Sequence, residues 1–292
     1  MTDTIAIGNA APAKPAIARL FRAVRRNPLM FVGALILILM ALTAIAAPLI
    51  AGDPVTMQPS RRLLPPSETF LFGTDHLGRD VFARTIYGAR VSLIVGLSVS
   101  AVSVLIGMVL GLLAGYFRGL DAPIMRVMDG LMAIPSILLA IAMVALMGSS
   151  LGVVMLAIII PEVPRVVRLV RSVTLSTREN QYVEAAVATG TRTGKILVRH
   201  ILPSTIAPLI VQATYVCASA ILVEASLSFL GAGMPPDVPT WGNMIASSRL
   251  YLGRAPWTIF CPALALGLVV LAVNLLGDGL RDRFDPRMAR RM

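Results

Sequence analysis

Few side chains in this sequence have a type and spacing that would support catalysis. The only histidines are His76 and His200, and the only cysteines, Cys217 and Cys261, both lie in apolar runs. A general base needs a positioned partner, and a metal ion needs several ligands. The sequence therefore predicts no catalytic residue, no disulfide framework, no metal site and no cofactor.

The nearest approach to a metal-binding cluster is formed by Asp75, His76 and Asp80. Carboxylate and imidazole groups are metal ligands, but three polar residues within one loop are also common where no metal binds. We interpret these three residues as part of a loop between two helices.

A phosphate-binding loop is also missing. The string from Gly190 to Ile196 comes nearest to the pattern G-x-x-x-x-G-K-[ST], but it is one residue short and ends in Ile instead of Ser or Thr. We therefore expect that this chain does not hydrolyse ATP by itself.

The composition shows which elements must position these residues. The 292 residues are 57% hydrophobic and 14% charged, with a mean hydropathy of +0.81, which excludes a water-soluble globule. Five stretches contain no charged residue and are long enough to cross a bilayer: 27–52, 91–117, 130–161, 201–223 and 255–277. Such runs predict membrane helices. The net charge of +11 would suggest nucleic acid for a soluble chain, but membrane topology explains it better here, so we expect no nucleic-acid partner.

The run 130–161 would form a helix about 48 Å long, which exceeds the hydrocarbon thickness of about 30 Å. We therefore divide it into two helices at Gly148-Ser149-Ser150. The resulting six spans, with a cytoplasmic N-terminus, put 19 of the 26 basic residues inside, as the positive-inside rule requires. A single span there would leave most basic residues outside.

The predicted fold is an all-α membrane protein with six transmembrane helices and both termini in the cytoplasm. Its parts are a basic leader 1–26, a first span 27–52, an external segment 53–90, a core domain 91–280 and a cytoplasmic tail 281–292. The core contains spans at about 91–117, 124–147, 151–170, 201–230 and 255–277, with a cytoplasmic loop 171–200.

The second predicted span carries Gly107, Gly111 and Gly115 at four-residue spacing. This spacing places three positions without side chains on one helix face, where another helix can approach closely. We interpret the glycines as a packing surface, since a dinucleotide fingerprint would need a strand before the helix.

The cytoplasmic loop predicts a helix-turn-helix. Gln181 to Gly190 is rich in Ala, Glu and Val and predicts a short helix that ends at Gly190. Thr193 is a candidate cap for a second short helix, Gly194 to Ile201.

Three features of this loop carry a family resemblance: the triplet Glu184-Ala185-Ala186, then Gly190, then Leu202-Pro203. Together they resemble the EAA loop of binding-protein-dependent ABC importer permeases. In that family the loop docks into a groove of the ATP-hydrolysing subunit. The resemblance implies a coupling role for six residues: Tyr182, Glu184, Ala185, Ala186, Gly190 and Thr193.

Two further segments are similar to the dipeptide, oligopeptide and nickel branch of that family. They are Phe72 to Leu93, and Glu224 to Gly242 with its Pro235-Pro236 pair. The resemblance covers about 27–285, and it departs from the family pattern at Pro161-Glu162-Val163-Pro164.

The resemblance implies a non-enzymatic pore subunit in the bacterial inner membrane that forms half of a path for peptides or similar small solutes. The implied partners are a second homologous permease, one or two ATP-binding subunits, an extracytoplasmic solute-binding protein and the lipid bilayer. The alternative is a secondary transporter driven by an ion gradient, which would favour buried acids or broken helices near the bilayer centre, often in repeated halves.

Two acids in or beside the predicted spans need partners, because a charge at mid-bilayer costs about 2.5 to 3.5 kcal/mol. Glu162, predicted near a helix end, is three residues from Arg165, and this spacing favours a local ion pair over contact of Glu162 with the substrate. For Glu224, near the outer end of the fifth span, a structural hydrogen bond to the external loop is favoured over a lining of the outer vestibule.

Overall fold

The structure is a computed structural model that describes residues 27–284. In this range the regular elements are helices, apart from one antiparallel bridge between Thr74 and Asp80. The helices are α1 (Pro28–Ile50), α2 (Val81–Tyr116), α3 (Arg118–Ala133), α4 (Ser136–Met147), α5 (Leu151–Arg178), α6 (Gln181–Ala188), α7 (Thr193–Ile196), α8 (Leu202–Phe229), α9 (Trp241–Ser248) and α10 (Trp257–Phe284). The predicted leader 1–26 and most of the tail 281–292 lie outside the described residues.

Four helical segments are long and apolar enough to cross a membrane: α1, α2, α8 with the turns before it, and α10. The pair α3 and α4, bent by 84° at its break, adds a fifth if it crosses as one unit. α5 differs from these because Glu162, Arg165 and Arg168 lie in its first eighteen residues. The prediction of an all-helical membrane protein is confirmed, and the count of six spans stays a prediction.

The predicted third span, 124–147, is wrong as a single helix. The chain breaks at Ile134-Pro135, between α3 and α4. Proline has no backbone N–H and disfavours the helical conformation of the residue before it, and Ile134 is extended, with φ −92° and ψ 127°. The predicted turn after this span is confirmed: α4 ends before Gly148, and the Ser150 hydroxyl accepts a hydrogen bond from the Val153 amide to start α5.

Three other helices extend beyond their predicted spans. α2 begins at Val81, within the predicted external segment, because the Asp80 carboxylate caps it by accepting the Phe82 amide at 2.9 Å. α5 continues past 170 to Arg178, and α10 continues past 277 to Phe284. The apolar pattern alone hides these extensions, since the added turns carry polar side chains.

The glycine face of α2 is a helix-packing surface, as predicted, and the helix that packs on it is α5. A Cβ at Gly107 would lie 2.5 Å from the Cβ of Val166, and one at Gly111 would lie 2.6 Å from the Cβ of Val170. Gly115 meets Thr174 in the same way. Because both sets of residue numbers increase together, α2 and α5 run in the same direction. The glycines thus allow a helix contact that any side chain would prevent.

The external segment between α1 and α2 is ordered by a buried ion pair. The Asp75 carboxylate accepts hydrogen bonds from Arg79 Nε at 2.7 Å and from the amides of Leu77 and Arg79 at 2.8 and 2.9 Å. Asp75 is 5% exposed and Arg79 is 4% exposed. The segment is fastened to α10 by the indole of Trp257, which donates to the carbonyl oxygen of Thr74.

Replacement of Asp75 by Ala is expected to lower the stability of the solubilised protein by about 3 to 5 kcal/mol, since it leaves the Arg79 guanidinium buried without its partner. The matched control is Asp53→Ala, because Asp53 is exposed and its hydrogen bonds stay within its own turn. Thermal unfolding in detergent measures both variants. Equal shifts for the two would show that the buried pair does not stabilise the segment.

Candidate functional site

The first helix of the predicted cytoplasmic loop, α6, spans Gln181 to Ala188. It ends in a Schellman motif: the Gly190 amide donates to the Val187 carbonyl at 2.9 Å, and the Thr191 amide donates to the Ala186 carbonyl at 3.0 Å. Gly190 has φ +74°, a left-handed conformation that glycine adopts without steric cost. The prediction that Gly190 ends this helix is confirmed.

The second helix is present but differs from the prediction. It begins at Thr193, so Thr193 is its first helical residue and not its cap, and Arg192 precedes it without a capping side chain. After Ile196 the backbone widens into a π-helical turn, Leu197–Ile201, that leads into α8. Pro203 explains why the helix widens at this point. Proline has no N–H to donate to the Arg199 carbonyl, and its ring would clash with that carbonyl in a regular α-helix.

Residues 181–201, here called the knob, pack on the end of α2. Val183, Ile196 and Ile201 are buried together, and they contact Leu112 and Tyr116 of α2. The hydroxyl of Tyr182 lies 3.5 Å from the carbonyl oxygen of His200, which links the two helices of the knob. The knob is therefore a folded unit with its own small apolar core.

Five of the six residues assigned to coupling are exposed on the knob. They are Tyr182, Glu184, Ala185, Gly190 and Thr193. Ala186 instead is half-buried against the apolar core of the knob, which requires a small side chain there. Val187 is not among the residues assigned to coupling from the sequence, yet its side chain is 55% exposed. Its position three residues after Glu184 places both side chains on the same helix face, which is the signal that could have identified it.

The charges of the knob are asymmetric. Glu184 is its one acid, whereas Arg192, Lys195 and Arg199 are basic, and all four side chains are exposed. A partner surface over Glu184 would therefore need positive charge there and could not be uniformly acidic or basic.

Ion pairs and hydrogen bonds hold the helix ends beside the knob. Arg178 donates to the carbonyl oxygens of Gly115 and Tyr116 at 3.1 and 3.4 Å. Arg171 pairs with Asp121 of α3 through two hydrogen bonds. The pair between Arg168 and Asp129, also in α3, has an N–O distance of 2.6 Å. These partners are far apart in sequence, so no local pattern could have indicated them.

The two acids of the predicted spans have partners. Glu162 pairs with Arg165 at 3.2 Å, which confirms the local ion pair, and its Oε1 also accepts the Ser219 hydroxyl at 2.9 Å. Its predicted place near a helix end is wrong, because α5 continues through Pro161 and Pro164 and Glu162 lies inside it. Glu224 is fully buried and accepts the Ser228 hydroxyl at 2.8 Å. Ser228 in turn accepts the amide of Met234 in the outer loop, so Glu224 reaches the loop through one hydroxyl.

The polar residues of the external loop have structural contacts. The Asp75 carboxylate pairs with Arg79, and Asp80 caps α2. His76 stacks on Tyr251 at 5.4 Å between ring centroids, and burial lowers the pKa of this imidazole from 6.5. In residues 27–284 no group of three His, Cys, Asp or Glu side chains is arranged to hold a metal ion.

Comparison with known proteins bears on both the core and the N-terminal part of the chain. Residues 103–290 match the model of the binding-protein-dependent transport system inner membrane component. Residues 17–66 match the N-terminal transmembrane domain of oligopeptide transport permease C.

Curated relatives extend this match over most of the chain. A probable peptide ABC transporter permease of Sinorhizobium fredii is 60% identical over 270 residues, which cover 92% of this chain and 93% of the relative. A dipeptide transport system permease of Alkalihalophilus pseudofirmus is 46% identical over 270 residues, covering 92% and 89%. A di/tripeptide permease of Pseudomonas aeruginosa is 45% identical over 264 residues, covering 88% and 87%. The chain therefore belongs to the inner-membrane components of binding-protein-dependent transport systems, as an ABC transporter permease of the bacterial inner membrane.

Proposed function

We propose that this chain is the permease subunit of an ATP-driven importer that takes up peptides or similar small solutes. It forms half of the translocation path beside a second homologous permease. One or two separate ATP-binding subunits drive it through the knob, and an extracytoplasmic binding protein delivers the solute. The peptide assignment follows the relatives, which are named as peptide, dipeptide and di/tripeptide permeases.

The observation that carries the coupling role is the folded and exposed knob. A partner can push on a surface only if that surface does not yield, and the knob has its own apolar core and a Schellman turn at Gly190. Closure of an ATPase dimer would draw two such knobs together and move the helices attached to them, which is alternating access.

The proposed topology has six spans with both termini in the cytoplasm. The parallel course of α2 and α5 supports it, because the chain must recross the membrane between them through α3 and α4. α8 runs opposite to α2, since Ser100 of α2 donates to the Ala213 carbonyl of α8 while Gly96 lies beside Cys217 and Ile221. α1 and α10 are also antiparallel, with Gly33 beside Ala272 and Gly279 beside Met30.

The rival hypothesis, an ion-gradient-driven carrier, has two kinds of observation in its favour: the broken pair α3 and α4, and the buried acids Glu162 and Glu224. The decisive experiment purifies the tagged chain from its native membrane and measures uptake in intact cells. We expect an ATPase and a second permease to co-purify and uptake to stop when ATP is depleted. Uptake that survives ATP depletion but collapses with the ion gradient would contradict the proposal.

Topology is tested by labelling Ala185→Cys with a membrane-impermeant thiol reagent. We expect labelling in inside-out vesicles and none in intact cells. The parent chain is the control, because its two cysteines are buried or half-buried. Labelling in intact cells would place the knob outside and overturn the coupling role.

Replacement of Gly190 by Val is expected to lower uptake about tenfold while membrane insertion is retained. A β-branched residue is strained by roughly 1 to 2 kcal/mol or more in the left-handed conformation, so the Schellman turn must change and the exposed face of α6 is displaced. Gly194→Val is the matched control, since Gly194 is also exposed on the knob but has no positive φ and no atom within 4 Å of a built Cβ. Similar uptake by both variants would contradict a role for the turn.

A further inference from the structure

One face of α5 is polar and exposed from its middle to its end. Arg165, Arg168, Ser172, Ser176 and Glu179 follow one another at intervals of three or four residues, which places them on one side of the helix. We call this row the polar stripe. Alongside the stripe, the opposite face is buried against α2 through Val166, Val170 and Thr174.

The stripe begins deep within the bundle. Val166, the neighbour of Arg165, packs on Gly107 of α2, which lies ten residues before the end of the uncharged stretch at Phe117. At about 1.5 Å per residue this is a depth of about 15 Å, or half of a hydrocarbon core about 30 Å thick. The Arg165 side chain is 41% exposed at this depth.

A row of polar side chains at this depth faces water or protein and not acyl chains, because charged groups in hydrocarbon are costly. Beyond Arg165, toward the start of α5, the same face is closed, since Val154 and Ile158 are buried in the core together with Ala140 and Val144 of α4. The exposed polar part of this face therefore runs from Arg165 to the end of α5 beside the knob.

The Arg165 guanidinium is held in place by Nη1, while its other N–H groups are, among the described residues, free to donate hydrogen bonds to a further partner. Its Nη1 donates to Glu162, whose Oε1 also accepts the Ser219 hydroxyl of α8. None of the described residues accepts a hydrogen bond from its Nε or Nη2. The next basic residue of the stripe, Arg168, is already paired with Asp129. The Nε and Nη2 groups of a guanidinium form a fork that matches the two oxygens of a carboxylate.

We propose that the stripe lines a water-filled cleft of the translocation path that is open toward the knob, and that Arg165, at its closed end, binds a carboxylate of the transported solute. Every peptide with a free C-terminus carries such a group. The guanidinium is restrained by Glu162, which the Ser219 hydroxyl holds in turn, so it requires little reorganisation to receive a carboxylate. This inference rests on the proposed import function and adds the solute group that the permease itself recognises.

The first test asks whether the cleft contains water, and it is independent of the solute. Arg165→Cys, Ser172→Cys and Leu156→Cys are introduced into the whole transporter in inside-out vesicles, which are treated with sulfonatoethyl methanethiosulfonate. We expect labelling of the first two above the parent and none of the third, because Leu156 is exposed on the opposite face of α5. An unreactive cysteine at 165 would overturn the proposal.

The second test measures uptake of L-alanyl-L-alanine and of its C-terminal amide by the complete reconstituted transporter. Loss of one charge-assisted contact predicts that Arg165→Gln lowers uptake of the free dipeptide about tenfold and uptake of the amide less than about twofold. The same binding protein is used with every variant. Its own preference between the dipeptide and the amide therefore cancels when the uptake of each probe by a variant is divided by its uptake by the parent. Arg126→Gln, which removes an exposed arginine of α3, is the matched control and should affect both probes equally.

The outcomes separate this inference from the proposed function. A wild-type complex that lacks an ATPase, or that takes up solute without ATP, would refute the import function itself. ATP-driven uptake in which Arg165→Gln matches Arg126→Gln for both probes would overturn the carboxylate assignment. Loss of the second permease from Arg165→Gln would show instead that this arginine pairs with an acid of that subunit.

Discussion

Replacement of Gly111 by Leu is expected to leave almost no folded transporter. A Cβ at this position would lie 2.6 Å from the Cβ of Val170 and 2.9 Å from the backbone oxygen of Val167, so α5 itself would have to move. It cannot move alone, because Gly107 and Gly115 hold α2 equally close to α5 above and below this point. Even Gly111→Ala should lower the free energy of unfolding by about 1 to 3 kcal/mol through overpacking, and Gly111→Leu should lower it considerably more.

The measurement is the fraction of monodisperse protein after solubilisation, together with its thermal midpoint. Gly267→Leu is the matched control, because Gly267 lies inside α10, is exposed, and has no atom within 4 Å of a built Cβ. We expect the control to behave as the parent and Gly111→Ala to fall between the two. If Gly111→Leu is as stable as the control, then the close contact of α2 and α5 is not required for folding.

Replacement of Glu184 by Lys is expected to detach the ATPase while the bundle folds normally. Glu184 is exposed and is the one acid of the knob, so the change makes the whole knob basic without touching its apolar core. Truncation of a central interface residue costs about 2 kcal/mol or more, and a reversed charge adds repulsion, so a loss of about 100-fold in ATPase affinity is expected.

The assay is co-purification of the ATPase at increasing dilution, followed by uptake. Glu179→Lys is the matched control, since Glu179 is an exposed acid at the end of α5 just before the knob. We expect the control to keep the ATPase bound. Equal retention of the ATPase by both variants would remove Glu184 from the coupling surface.

Much of the architecture could be predicted because the bilayer imposes a simple rule on sequence. Uncharged runs marked α1 and α8 closely, since every residue that faces lipid must be apolar. The spacing of Gly107, Gly111 and Gly115 identified a packing face, because nothing else explains three missing side chains on one side of a helix. Gly190 marked the end of α6 because a helix commonly ends in a left-handed backbone conformation, which glycine adopts readily.

The errors come from places where local chemistry overrides hydropathy. Hydropathy does not distinguish a straight helix from one broken at Pro135, because the residues on both sides of the break are apolar. It also misses the polar ends of α2 and α5, which are stabilised by the Asp80 cap and by the bonds of Arg178 to the α2 terminus. For the candidate site, the sequence indicated the short helix that ends at Gly190, but it gave Thr193 a capping role, whereas Thr193 is the first helical residue of α7.

The uninterrupted course of α5 has a mechanical consequence. The helix runs for 28 residues, or about 42 Å, from the turn at Ser150 to Arg178, where its last turn is bonded to the end of α2. Pro161 and Pro164 lie inside α5 and remove two backbone hydrogen bonds, so the helix bends most easily there, and a displacement at the knob end tilts the segment from Arg165 to Arg178. From Arg165 onward, α5 and the end of α2 would act as a lever that carries movement of the knob to the middle of the bundle.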